Sequence, residues 1–346
     1  VTERPVVTER ELITWVRRDF GLDLVTCERV AGGTDAAAST WRATTRDRTR
    51  LAVRVSTGTT FGVWLAALLS LRGIRGVPMP WRTLDGAVWS TRAGRRVSVA
   101  SWVSDRPATE GRVTAAHWRA LGRLLAQVHG QELTDDLTGL LPRVDHDPTD
   151  LAQRTRDLPW TVVRHPAPDD VMSALAAQLA GGLDALVQVA DTAERLAERL
   201  AGRPADDPAH GALGPAVLCH GDPHLANVLL GGDDVWLVDW DDAVIAPRER
   251  DLLLVVGGVL SSWAVTAEQR TWFAEGYGPL DLDGELLHYY ACVRAMEDVV
   301  GFADRVLDAD RFDRAEREEA VTILRGVLSA DGIGRLAPDR WAWPPE

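Results

Sequence analysis

The segment VLCHGDPHLANVLLGGDDVWLVDWDD, residues 217–242, restricts the possible fold more than any other stretch of the chain. Its apolar runs VLC, VLL and VWLV are short and separated by turn-forming residues, so they read as strands. The GGDD turn predicts that Leu230 pairs with Val235, which sets Asn227 opposite Val238 and beside Asp239. Asp222 lies five residues before Asn227, in a loop that Gly221 and Pro223 confine to a turn. A buried hairpin of this kind carries three oxygen-bearing side chains to one open end.

Such oxygens suit Mg²⁺, which keeps water and phosphate oxygens in its remaining positions. The segment lacks the Cys and His set that a zinc site needs. Asp and Asn before strands also act as simple turn formers, but turn chemistry does not require this spacing.

The 346 residues suffice for two domains or one large two-lobed one, and 46% apolar with 26% charged residues is an ordinary globular composition. All 38 basic residues are arginine, and the net charge of -13 argues against a general nucleic-acid binder. Cys27, Cys219 and Cys292 form no C-x-x-C pair, the expectation for a reduced, cytoplasmic protein. The N-terminus has no apolar signal core, and the run LLLVVGGVL at 252–260 is too short to span a bilayer, so no membrane role is expected.

Along the chain, an amphipathic helix over 8–20 precedes strands at 23–31, 38–45 and 50–56, a helix at 61–73, and strands at 87–90 and 96–103. Helical patterning then dominates, with 169–202 broken at Gly181-Gly182, a loop at 202–215, and further helices over 249–276, 283–308 and 313–329. A sheet-rich first part therefore precedes a larger, mostly helical part with one embedded hairpin.

His220, Gly221 and Asp222, then Asn227 and the VDW that supplies Asp239, resemble the catalytic centre of protein kinases. The resemblance is closer to the aminoglycoside phosphotransferase family of antibiotic kinases, which also has Gly for Arg in this motif. The run VDWDDAVIAPRERDLLL is most similar to its spectinomycin phosphotransferase branch. The family resemblance implies an α+β, bilobal protein-kinase-like fold. Its N-terminal antiparallel sheet lobe (1–103) would bind nucleotide, and its larger, mainly helical C-terminal lobe (104–346) would carry catalysis and substrate binding. It implies Asp222 as the catalytic base, Asn227 and Asp239 as Mg²⁺ ligands, and His220 and Asp251 as supports of the catalytic loop. ATP or GTP would be the phosphoryl donor.

In the first part, LAVR at 51–54 lies where the family has V-A-I-K. Alternation puts Ala52 and Arg54 on the face opposite Leu51, Val53 and Val55, so Ala52 would leave room for a base and Arg54 would reach the phosphates. Arginine for lysine is not a conservative exchange. The helix at 61–73 contains no acid, so the family's usual ion pair to this basic residue is missing from its expected place. Gly32, Gly33 and Thr34 occupy the phosphate-loop position, and Trp102 and Val103 the hinge beside the base.

Asp241, Asp242, Glu297 and Asp298 are the candidate acids for the ammonium groups of an aminocyclitol; solvated helix faces are the alternative. The expected partner is thus a small hydroxylated antibiotic. Kinases of choline-like metabolites, or of nucleoside or peptide antibiotics, share the fold, as does a nucleotide-binding pseudokinase, which Arg54 and the acid-free helix favour.

Overall fold

Valine- and threonine-rich runs interrupted by tight turns build a five-stranded antiparallel sheet at the start of the chain. The computed structural model describes residues 7–30, 38–165, 169–203, 214–257 and 265–338. In chain order its elements are α1 (Glu9–Phe20), β1 (Leu24–Arg29), β2 (Ala38–Thr45), β3 (Arg50–Ser56), α2 (Phe61–Leu71), β4 (Ser90–Arg92), β5 (Arg95–Ser101), α3 (Ala115–His129), α4 (Asp135–Leu140), α5 (Thr149–Val163), α6 (Asp170–Ala201) and β6 (Ala216–Cys219). There follow β7 (Val228–Gly231), β8 (Asp234–Leu237), β9 (Val244–Pro247), α7 (Glu249–Val256), α8 (Ala267–Tyr277), α9 (Gly284–Leu307), α10 (Arg314–Val327) and α11 (Ile333–Leu336). This is the expected α+β pattern of an N-terminal antiparallel sheet followed by a larger helical part.

The chain gathers into two compact units. The first comprises Val1–Pro142, Leu218–Ile245 and Val265–Leu280, and the second Arg143–Val217, Ala246–Ala264 and Asp281–Glu346. The hairpin of the opening segment belongs to the same unit as the sheet.

In the first unit the strands run in the order β1-β2-β3-β5-β4. One sheet face is apolar: Leu51, Val53, Val55, Val97 and Val99 form a core with Leu12, Val16 and Phe20 of α1. The helix is fixed by a capping box between Thr8 and Glu11. The opposite face is polar or small, since cross-strand pairing sets Ala52 against Ala100, Arg54 against Ser98 and Ser56 against Arg96.

The hairpin β7–β8 has the expected register, Leu230 pairing with Val235, and the Val238 N–H donates to the Asn227 carbonyl at 3.0 Å. The segment after β5 runs along its outer edge, where the Ala108 N–H donates to Val228 O at 2.8 Å and the Leu230 N–H to Arg106 O at 2.7 Å. On its other side the Leu237 N–H donates to Gly76 O at 2.8 Å, and His117 of α3 bonds the Gly232 carbonyl at 2.7 Å. Sheet, hinge segment and hairpin are thereby tied through the backbone.

The second unit is helical, with α6 packed against α5 and α9. By length and composition alone α6 could cross a membrane, a property that the run at 252–260 did not reveal. Its Leu175, Leu179, Leu186, Val189, Leu196 and Leu200 are nevertheless buried at helical spacing, the mark of a core stripe.

Three expected elements differ. The strand placed at 87–90 begins at Ser90, because Ala93 and Gly94, both at positive φ, make a two-residue turn that pairs Arg92 with Arg95. The break at Gly181-Gly182 does not occur; Gly182 is buried against Leu328, and the missing side chain lets that leucine approach. The helix placed at 249–276 is two helices, the second started by Thr266, whose capping box with Gln269 opens α8. Most of the loop at 202–215 lies outside the described residues. Cys27, Cys219 and Cys292 are buried, and none is in a disulfide.

Candidate active site

The turn between β6 and β7 is built around His220, which is fully buried. Its Nδ1 accepts the Asp222 N–H at 3.3 Å, so Nε2 carries the proton and donates to the Val238 carbonyl at 3.0 Å. The ring also packs 4.5 Å from that of Trp240. Through these two backbone bonds His220 joins the loop to the end of β8.

Gly221 explains the absence of arginine from the motif. Its φ is +88°, and a Cβ there would lie 1.9 Å from the Asp242 carbonyl oxygen. A side chain would be strained and would collide with backbone. Gly221→Ala is therefore expected to destabilise the protein by about 1–3 kcal/mol from strain alone, with the collision adding to it. A clear drop in melting temperature is the expected result; an unchanged melt would show that the loop relaxes freely.

Asp222 is mostly buried, and its Oδ2 lies 3.2 Å from His224 Nε2. His224 Nδ1 accepts the Ala226 N–H at 3.2 Å, so the neutral ring carries its proton on Nε2 and donates it to Asp222. His224 was not singled out by the sequence reading; the only signal was its place two residues after Asp222. Asn227 Nδ2 donates to the Asp222 carbonyl at 2.9 Å, which fixes the amide and leaves Oδ1 as its acceptor atom.

Asp239 follows β8 with φ +67° and ψ +69°, a left-handed conformation that turns the chain out of the strand. Its Oδ1 accepts Arg54 Nη1 at 2.8 Å, while Arg54 Nη2 reaches Asp241 Oδ2 at 3.1 Å. The carboxylate and the amide oxygen of Asn227 are the hard donors that Mg²⁺ takes, and the guanidinium on Asp239 shows that this oxygen already supports a cation. The donor set fits the metal.

A cavity of about 540 Å³ adjoins these groups. Ala52, Ala66, Ala100 and Leu229 give it apolar surface, Arg54, Asn227 and Asp239 give it polar groups, and Trp102 and Val103 border it. The Trp102 N–H donates to the Arg50 carbonyl at 3.1 Å, and the guanidiniums of Arg42 and Arg50 lie 5.9 and 5.7 Å from its ring centroid. Gly32, Gly33 and Thr34 lie outside the described residues.

The candidate substrate acids have acquired other partners. Asp241 binds Arg54 and also Arg96, whose Nη2 lies 3.2 Å from Asp241 Oδ2. Burial pushes the Asp241 carboxyl above its ordinary range, against the pull of both arginines. In the second unit, Glu297 accepts Arg250 at 3.2 Å and Asp298 pairs with Arg294 at 2.9 Å. Each acid is thus paired with an arginine of its own unit. Asp242 is exposed, and its carbonyl packs over Gly221. Asp251 is fully buried in the first turn of α7, within the second unit.

The chain that carries this sheet, hairpin and cluster of Asp222, Asn227 and Asp239 belongs to the phosphotransferase enzyme family (APH), whose model matches residues 26–289. The protein is accordingly a phosphotransferase of protein-kinase-like fold. Among solved structures it is similar to spectinomycin phosphotransferase APH(9)-Ia in complex with ADP and spectinomycin, with a TM-score of 0.83, 23% identity and coverage of 96% of this chain and 98% of that one. The AMP-bound complex of the same enzyme gives 0.80 at 21% identity, again covering 96% and 98%. A Plasmodium vivax ethanolamine kinase gives 0.61 at 14% identity, covering 95% of this chain and 90% of that one. Comparison with curated proteins returned no relative.

Proposed function

We propose that the protein transfers the γ-phosphoryl group of ATP or GTP to a hydroxyl of an antibiotic of the spectinomycin or aminoglycoside type, giving resistance or self-protection. The observation that carries this reading is the convergence of Asp222, Asn227 and Asp239 at the open end of one hairpin, with Asn227 and Asp239 on the wall of a nucleotide-sized cavity. The likeness in fold to a spectinomycin phosphotransferase supports the choice of acceptor.

Asp222 orients the acceptor hydroxyl and takes its proton as the new bond to phosphorus forms. His224 holds that carboxylate from one side, and His220 fixes its backbone from behind. Asn227 Oδ1 and Asp239 would hold Mg²⁺, which supplies charge neutralisation at the donor phosphates. Arg54 binds those phosphates through its guanidinium, and Ala52 leaves room for the base. With the Trp102 N–H committed to Arg50, Val103 is the base-recognising residue of the hinge.

For the acceptor, the pairing of Glu297 and Asp298 with arginines reduces their capacity to bind ammonium groups. Exposed Asp242 is the acid best suited to a cation.

The test incubates the protein with Mg²⁺, ATP or GTP, and spectinomycin, aminoglycosides, choline and ethanolamine in parallel, with product identified by mass. Phosphorylated antibiotic is the expected result. Product from choline or ethanolamine alone would move the enzyme to metabolite phosphorylation, and nucleotide binding without product across the panel would make it a binding module.

A further inference from the structure

A basic residue on a strand holds phosphates only if its head group is fixed and its charge is not cancelled by the groups that fix it. Arg54 meets the first condition without any acid from α2, which has none. Its Nη2 is held instead by Asp241, two residues beyond Asp239. Gly62 makes that possible: a Cβ there would lie 2.4 Å from Asp241 Oδ1 and 2.9 Å from the Asp241 nitrogen. The first turn of α2 thus gives up a side chain to admit the acid against it.

The second condition is met by Arg96. It lies on β5, one alternation step from the residue that pairs with Arg54, so both arginines emerge on the same sheet face. Its side chain is 4% exposed, and Nη2 reaches Asp241 Oδ2 at 3.2 Å and Oδ1 at 3.4 Å. Its Nε and Nη1 are buried with no hydrogen-bond partner among the described residues. A buried cation with unmet donors is a poor way to stabilise a fold. Its charge therefore has a use at Asp241.

Two guanidiniums and two carboxylates, Asp239 and Asp241, sum to zero charge. Once Asp239 turns to a metal, Asp241 still holds the Arg54 guanidinium. If Asp241 had no second partner it would cancel Arg54; with Arg96 beside it, one positive charge remains for phosphate.

We infer that Asp241 and Arg96 are positioning residues for the donor's phosphates: Asp241 fixes the Arg54 guanidinium, and Arg96 neutralises Asp241 so that Arg54 keeps its charge. Neither role requires contact with the nucleotide, and Arg96 is not on the cavity wall. The inference rests on the phosphotransferase reading of the site, in that it takes the cavity to hold a nucleoside triphosphate.

The experiment measures ATP affinity by calorimetry, in Mg²⁺ and in EDTA, together with melting temperature and the KM of each substrate. Arg96→Met is expected to weaken ATP binding about ten- to hundredfold while the acceptor KM stays unchanged. Removing both charges in Arg96→Met/Asp241→Asn should recover much of the affinity lost in the single variant, and Arg96→Lys should retain most of it. Gly62→Ala, which changes no charge, should weaken ATP binding by displacing Asp241. The inference is overturned if Arg96→Met lowers the melting temperature but leaves ATP affinity at the wild-type value. It is equally overturned if the double variant binds no better than the single one, or if the wild type binds no ATP. Should ATP binding respond as expected while no acceptor is phosphorylated, the inference holds and the proposed activity fails.

Discussion

Asp222→Asn is expected to lower kcat by about 10²- to 10⁴-fold, the usual contribution of a positioned general base. The asparagine keeps the volume and one carbonyl oxygen to accept the His224 Nε2–H, now 3.2 Å from Asp222 Oδ2. The backbone bonds that hold the loop, Asp222 N–H to His220 and Asn227 to the Asp222 carbonyl, are unaffected by the exchange. Melting temperature and ATP affinity should therefore stay close to the wild type. A loss confined to kcat separates proton transfer from folding and from donor binding. A variant that retained wild-type turnover would remove Asp222 from the chemistry.

The sequence made the hairpin legible because local rules act there without competition. The turn set the pairing of Leu230 with Val235, and the pairing set Asn227 beside Asp239. Alternation alone put Arg54 and Ala52 on the face away from the core. The same alternation applied to RRVSVASWV would have put Arg96 on Arg54's face, but its contact with Asp241 spans 145 residues of chain, which no local pattern encodes. The arginine partners of the acids differ in the same way. Asp298 has Arg294 four residues before it on one helix, a pairing that spacing could have found, whereas Glu297 meets Arg250 from a different helix. Gly62 reads as an ordinary helix glycine until the Asp241 that crowds it is known.

Asp239→Asn is expected to lower kcat with Mg²⁺ by about 10²- to 10³-fold, the scale on which a single charge-stabilising group acts. Asparagine is the informative substitution because the position is left-handed, at φ +67°, where Asn is well tolerated and Ala is strained. The fold should therefore survive and the change act through charge alone. Two effects of opposite sign follow. With Mg²⁺ present, loss of the carboxylate weakens the metal's hold, so the Mg²⁺ concentration for half-maximal activity should rise. Without metal, Asp239 holds Arg54 at 2.8 Å and competes with any phosphate for the guanidinium. Neutralising it should release Arg54 to the nucleotide and strengthen ATP binding in EDTA. Parallel ATP titrations with and without Mg²⁺ read both effects in one protein; weakening under both conditions would mean that the Arg54–Asp239 pair organises the site instead of competing for it.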